Sequence, residues 1–327
     1  MSRMRLIVLP LLALALSVCA SAAEMTKMTV ATGVDPGFSI VYVAKLGGFF
    51  ERNGLDVDMR TGPSGGAMVP LLLSGASNAS VAASLAGINN HLKDADVVAV
   101  AQVVRYDRLY GIVARRDVES LADLKGKKIA VTVGNASESY WYDALKHDHL
   151  DPADFKGSLV NVEPPEMVAA IERNDVQAFS AWEPWISRAV LNVPNTKVLT
   201  DNLGTVQDVG FIYMSRKWIN ANHATAIRFM KAMNEANEFI NRKPEKTKQI
   251  VGKLLNLPKN LMDSIMPKCT YTFVLGDDAY AVTDRIVAQL VAQGRLKAAQ
   301  FDFASWFDPD LLKEIKPEAV RLPALKR

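Results

Sequence analysis

The chain has 327 residues, 49% of them hydrophobic and 22% charged, with a formal net charge of +3. That content supports a sizeable core, excludes a disordered chain, and lacks the basic excess of a nucleic-acid binder, so no nucleic-acid partner is expected. Its two cysteines, Cys19 and Cys269, exclude a disulfide framework.

At the start, Arg3 and Arg5 precede an apolar run over 6–18 and then the small residues Ala20-Ser21-Ala22-Ala23. A charged head, an apolar stretch and an A-x-A type site predict a secretory signal peptide over 1–23, and the run is too short for a membrane span. Losing Arg3 and Arg5 takes the 38 basic residues to 36, against 35 acidic ones. The expectation is a nearly neutral mature protein in the periplasm. Lipidation of Cys19 is not expected, because Val18 stands where a small residue is needed. Cys269 is then the only mature cysteine, expected as a small buried apolar residue, and the core alone must hold the fold.

Residues 28–31 read as a strand and 39–52 as a helix closed by the C-cap pair Asn53-Gly54. Residues 55–60 alternate apolar and polar, a second strand. A turn over 62–66, a helix over 67–74, and strands over 79–83 and 97–104 follow. The stretch LADLKGKKIAV at 121–131 restarts the pattern with a short helix, a turn at Gly126 and a new strand. Then come helix 137–147, strand 159–162, helix 165–174, strand 178–181, helix 184–190 and strand 198–199. Residues 209–214 read as a strand leading out. Beyond 221 the chain reads as mainly helical, over 224–241, 245–255, 261–264 and 279–293. Strands alternating with helices give an α/β class with parallel sheets. The restart and the return place one lobe at 109–210. The other is built from both flanks, 24–108 and 211–327, with hinges near 105–111 and 208–211. Two such lobes form a cleft at the carboxyl ends of their strands, a usual place for a small-molecule site.

Four stretches belong together: FSIVYVAKLGGFFERNGLDVDM, GPSGGAMVPLLLSGASNASVAAS, SLADLKGKKIAVTVGNASESYWYDAL and VEPPEMVAAIERNDVQAFSAWEPW. Over about 28–220 the chain resembles the periplasmic solute-binding proteins of ABC importers in the nitrate, sulfonate and taurine group, which also contains thiamine-precursor binders. The resemblance rests on A-x-x-x-G-F-F-x-x-x-G-L-x-V at 44–57 and Trp182-Glu183-Pro184. It implies the two-lobed type II periplasmic-binding fold, hinge closure around one small anionic or zwitterionic ligand, and delivery to membrane permease subunits. A monomer with no cofactor is expected. One departure is Asn78, where the family often carries an acid.

The candidate site is read from where strands turn into helices. In VTVGNASESYW at 131–141, Asn135 and Ser137 stand at a helix start, where free amides and the helix dipole favour an anion. The same residues could simply cap the helix. Ser64-Gly65-Gly66 repeats the device in the other lobe, without the Gly-Lys-Ser/Thr ending of a phosphate loop. Phe38 and Ser84 sit at strand ends as wall positions. Trp182 offers a flat apolar face and one N–H donor; Glu183 stands beside it, near an N-cap. Asp208 lies at the hinge. By the taurine-binder resemblance it would meet a ligand ammonium, giving an aminoalkane sulfonate as the fitting guest; the alternative is a hinge acid. Nitrate, carboxylates, aromatic acids and thiamine precursors stay open. Four scattered histidines and one mature cysteine give no metal site and no catalytic constellation. An enzyme on the same fold, of the thiamine-pyrimidine synthase kind, would need a cysteine-rich iron-binding segment.

Overall fold

The computed structural model describes residues 24–324; the expected signal peptide lies outside them. Eleven strands occur among the described residues. They are β1 (Thr26–Gly33), β2 (Leu55–Gly62), β3 (Ala79–Ala83), β4 (Val97–Tyr106), β5 (Tyr110–Arg115), β6 (Ile129–Val131), β7 (Leu159–Asn161), β8 (Ala178–Trp182), β9 (Thr196–Thr200), β10 (Asp208–Ser215) and β11 (Cys269–Val274). They form two sheets, ordered β11-β4-β10-β3-β1-β2 and β7-β6-β8-β5-β9. One lobe is built on each.

β3 and β4 read as near-continuous apolar runs and are buried almost throughout, as strands covered on both faces must be. β2 alternates buried and exposed at the sheet edge. The sheets are mixed rather than parallel. β1, β2 and β3 run parallel, while β10 is antiparallel to both β3 and β4. In the second sheet β6 is parallel to β7 and β8, and β5 is antiparallel to β8 and β9. The antiparallel members β5 and β10 are the strands that enter and leave the second lobe.

Two helices expected as single pieces are broken by their own sequence. Ser39–Leu46 and Phe49–Arg52 are separate, because Gly48 takes the left-handed φ of +71°, which glycine tolerates. Gly65–Met68 and Pro70–Leu73 are separate, because Pro70 has no N–H to continue the ladder. Asn78 accepts from the Thr29 amide at 2.7 Å while its own amide donates to the Thr29 carbonyl. Its side-chain oxygen therefore fastens the start of β3 to β1, as a carboxylate would.

The C-terminal region completes the first lobe. Helices His223–Arg242 and Pro244–Leu255 pack on Ser39–Leu46. Trp306, fully buried, closes an aromatic cluster with Phe211, Tyr213 and His91. β11, inside the stretch expected to be helical, pairs with β4. Cys269 is free and buried.

The chain crosses between lobes twice, between β4 and β5 and between β9 and β10. Gln207 stitches the crossings together. Its amide donates to the Tyr106 carbonyl at 2.9 Å, its Oε1 accepts from the Tyr110 amide at 2.8 Å, and its Nε2 donates to the Tyr110 and Asp201 carbonyls at 3.1 and 2.9 Å. Arg108 pairs with Asp201 across the same gap at 2.9 Å. Arg105 pairs with Asp107.

Candidate functional site

The strand ends of both lobes meet at one narrow cavity of about 10 Å³, closed down to the room of about one water molecule. Asp35, Phe38, Gly65 and Ala83 line it from the first lobe, Asn135, Ala136 and Trp182 from the second, and Leu109 and Tyr110 from the crossing. The approach is close because two glycines permit it. A Cβ on Gly65 would stand 2.9 Å from the Phe38 ring and 3.0 Å from Ala82, and one on Gly66 would stand 2.6 Å from Asn135 Nδ2 in the opposite lobe.

The walls are aromatic. Tyr110 meets Trp182 edge to face with centroids 6.4 Å apart, Tyr106 at 5.3 Å and Tyr140 at 6.1 Å. Two side-chain donors, Asn135 Nδ2 and Trp182 Nε1, are buried without a partner among the described residues. No lysine or arginine lines this cavity. One acid, Asp35, lines it instead, and a second, Asp208, is buried behind the wall. Asp35 is 3% exposed and its Oδ1 accepts from the Gly37 amide at 2.7 Å. Burial pushes its carboxyl up to about 7, against the lowering pull of the Gly37 and Phe38 amides. Asp208 is 2% exposed. Burial pushes it up to about 6, against the pull of Ser84, the Val209 amide and Arg285. Its Oδ1 accepts from its own Val209 amide. Its Oδ2 has no hydrogen-bond partner among the described residues, and the Ser84 hydroxyl beside it donates to the Val209 carbonyl at 3.0 Å.

The ten residues singled out by sequence fall into three groups. Phe38, Gly65, Asn135 and Trp182 line the cavity together. Ser64 and Gly66 lie with Asn135 in a second, larger inter-lobe cleft of about 430 Å³, beside Asn89, Lys93, Glu163 and Arg295. Ser64 Oγ accepts from the Ala67 amide as an N-cap and faces Glu163, whose carboxyl burial raises and this hydroxyl lowers. Ser84, Ser137, Glu183 and Asp208 stand behind the walls. Ser137 Oγ accepts from the Thr132 amide at 2.7 Å, and its carbonyl accepts from Ser180 Oγ at 2.8 Å, so it braces the turn from inside. The amides of Val133, Gly134, Asn135 and Ala136 are bonded to Asn161, Glu138, Thr132 and Asn135. That leaves the Asn135 side chain as this turn's donor toward the cavity.

Glu183 is an inter-lobe strut. It is 1% exposed, caps the next helix through the Ser187 amide at 3.1 Å, and pairs with Lys268 of the first lobe at 2.7 Å. The Lys268 carbonyl in turn accepts from the crossing amides of Asp107 and Arg108. Removing one partner of a buried pair leaves an uncompensated charge. Lys268 is partly exposed, which lets water soften the loss. Lys268→Met is expected to destabilise by about 2 kcal/mol in urea unfolding at pH 7; an unchanged midpoint would contradict the strut.

Sequence reading missed Asp35 and Tyr110. Both had a signal. Asp35 immediately precedes the Pro36-Gly37 turn at the end of β1, and Tyr110 lies inside the expected hinge.

Among the described residues no group of three or more His, Cys, Asp or Glu is placed to hold a metal ion, and no helix is long and apolar enough to cross a membrane.

Comparison with known proteins agrees with this architecture. A binding protein of Brucella abortus (strain 2308) is 29% identical over 226 residues, 68% of this chain and 69% of that one. The taurine-binding periplasmic protein of Escherichia coli (strain K12) is 28% identical over 162 residues, 47% of each chain. The alkanesulfonate-binding protein SsuA from Xanthomonas axonopodis pv. citri, solved bound to MOPS, superposes with a TM-score of 0.73 at 18% identity, over 92% of this chain and 100% of that one. The two-lobed periplasmic binding protein fold is therefore this chain's fold, and, with the NMT1/THI5-like family model matching residues 35–247, the chain belongs to that family.

Proposed function

We propose that this protein captures a small organic solute between its lobes in the periplasm and presents the closed form to the membrane subunits of an ABC importer. The favoured solute is a compact sulfonate carrying an amino group, of the taurine kind. The observation that carries this reading is the inter-lobe cavity itself. It is lined by the unpaired donors Asn135 Nδ2 and Trp182 Nε1 and by the buried acid Asp35, with Asp208 buried behind its wall. The donors suit an anionic head, and the acids suit an ammonium, which would supply the charge that burial denies them. The taurine- and alkanesulfonate-binding relatives point the same way. Binding closes the lobes by contacts that exist only in the closed form. A flat amino-substituted heterocycle of the thiamine-precursor kind is the second reading, favoured by the Phe38, Tyr110 and Trp182 walls.

Calorimetry with taurine, ethanesulfonate, nitrate and an aminopyrimidine tests the choice. Taurine binding at micromolar strength, about −8 kcal/mol, without turnover supports a binder. Turnover of any of these compounds would make the protein an enzyme. Trp182→Ala is expected to weaken taurine binding at least about ten-fold, since a central aromatic anchor commonly contributes roughly 2 kcal/mol or more. An unchanged dissociation constant would remove Trp182 from the wall.

A further inference from the structure

The helix Asp277–Ala292 lies beyond the stretch that the family model matches. It packs on the first lobe through buried Val282, Ile286 and Leu290, against helix Ser84–His91 and β10. Its other side reaches across the cleft to the second-lobe helix Ala136–His147. Gln289 Nε2 donates to the Ser139 carbonyl at 3.1 Å and to Asp143 Oδ1 at 2.7 Å, while its Oε1 accepts from Ser139 Oγ at 2.9 Å. This amide uses both of its ends on one partner helix.

Just past the helix, Arg295 Nη1 donates to Glu138 Oε1 at 3.0 Å. Glu138 is 7% exposed at its side chain. Its other oxygen accepts from the Gly134 amide at 2.7 Å, and the Gly134 carbonyl accepts from Asn89 Nδ2 of the first lobe at 3.2 Å. The next two residues, Asn135 and Ala136, line the ligand cavity. A continuous chain of contacts thus runs from the C-terminal region through Glu138 to the cavity wall.

We propose that Gln289 and Arg295 form a latch that fastens the cavity-lining turn of the second lobe to the first, and so set how long the lobes stay shut. Every bond of the latch joins residues on opposite sides of the cleft and is lost when the lobes part. Gln289 lines neither the cavity nor the neighbouring cleft, so it is a positioning residue; Arg295 also lines the cleft with Ser64, Gly66 and Asn135. Loss of the latch lowers the closed-to-open ratio and speeds ligand release, and capture by the open form stays as it was in Gln289→Ala. The proposal rests on two-lobed capture for its effect on release, but the lobe distance reports it whatever the ligand is.

The test uses spin labels at Leu73→Cys in the first lobe and Leu191→Cys in the second, both exposed positions, with pulsed electron-spin distance measurements on the full chain carrying Cys19→Ser. Cys269 is buried and stays unlabelled. The parent protein is expected to populate a short distance. Gln289→Ala with Arg295→Ala is expected to cut the closed-to-open ratio about ten-fold, the equivalent of about 1.4 kcal/mol. Arg295→Lys should restore part of it. High salt should lengthen the distance in the parent more than in Arg295→Ala, because the parent has one more inter-lobe ion pair to screen; Glu183–Lys268 and Arg285–Asp143 are common to both. A double variant with the parent's distance distribution overturns the latch, provided thermal melting shows both folded. If the double variant fails to fold, the single Gln289→Ala and Arg295→Lys proteins decide by the same comparison. A separate stopped-flow arm with taurine reads release. No binding of taurine or of the other compounds would overturn the proposed function while leaving the distance result standing.

Discussion

Gly66→Ala is expected to leave the fold intact and to weaken taurine binding at least about a hundred-fold, about 2.7 kcal/mol. A Cβ there would lie 2.6 Å from Asn135 Nδ2 and 3.0 Å from its Cγ, both in the opposite lobe. Contacts that short force something to move. Asn135 cannot swing aside freely, because it is 4% exposed and its Oδ1 is held by the Ala136 amide. Within its own lobe the nearest atom is the Ala86 Cβ at 3.4 Å, an ordinary contact. The substitution therefore acts as a wedge against closure, and its cost falls on the closed state. Calorimetry with taurine and a thermal melt of the ligand-free protein read the two parts separately. Undiminished affinity would show that closure does not bring these turns together.

Asp35→Asn is expected to make the ligand-free protein more stable at pH 8 and to flatten its pH dependence. The carboxyl has an ordinary value of 3.8 and stands at about 7 in the folded state. Between about pH 4 and 7 the folded protein therefore holds a proton that the unfolded chain has released. Stability then falls as pH rises through that window and levels off above it. A rise from 3.8 to about 7 corresponds to roughly 4 kcal/mol. Asp208, at about 6, adds a decline of the same sign over the lower part of the window. The asparagine keeps an oxygen for the Gly37 amide and removes the charge that burial penalises. Urea unfolding of both proteins from pH 4 to 8 should show curves that separate as pH rises. Parallel curves, or a less stable variant at pH 8, would mean that the Asp35 carboxylate is better solvated than its burial implies.

How far the site could be read from sequence differs by residue. Phe38, Gly65, Asn135 and Trp182 were accessible because each stands where a strand ends and a helix begins, and in an open α/β sheet such ends form the ligand crevice. Local pattern also marked Ser137 and Glu183, but it could not say which way they face. Ser137 turns inward to the Thr132 amide. Glu183 turns toward Lys268, 85 residues away in the chain. The same limit applied to strands. Residues 269–274 alternate buried and partly exposed positions, a period-two signal, yet β11 exists only because β4 offers it an edge.

Sequence by itself determined the α/β class and the turns. Apolar runs at strand and helix periods, Gly48 and Pro70 express their physics within a few residues of where they stand, whereas Gly66 matters through Asn135 of the other lobe. Tertiary structure alone decided the mixed strand directions, the burial of Asp35 and Asp208, and the fastening of the second lobe by Glu183–Lys268 and Arg295–Glu138. These depend on desolvation and on partners that are distant in the chain. A carboxyl shifts its proton affinity only when surrounding groups exclude water, and an ion pair gains specificity only when folding brings its two ends together.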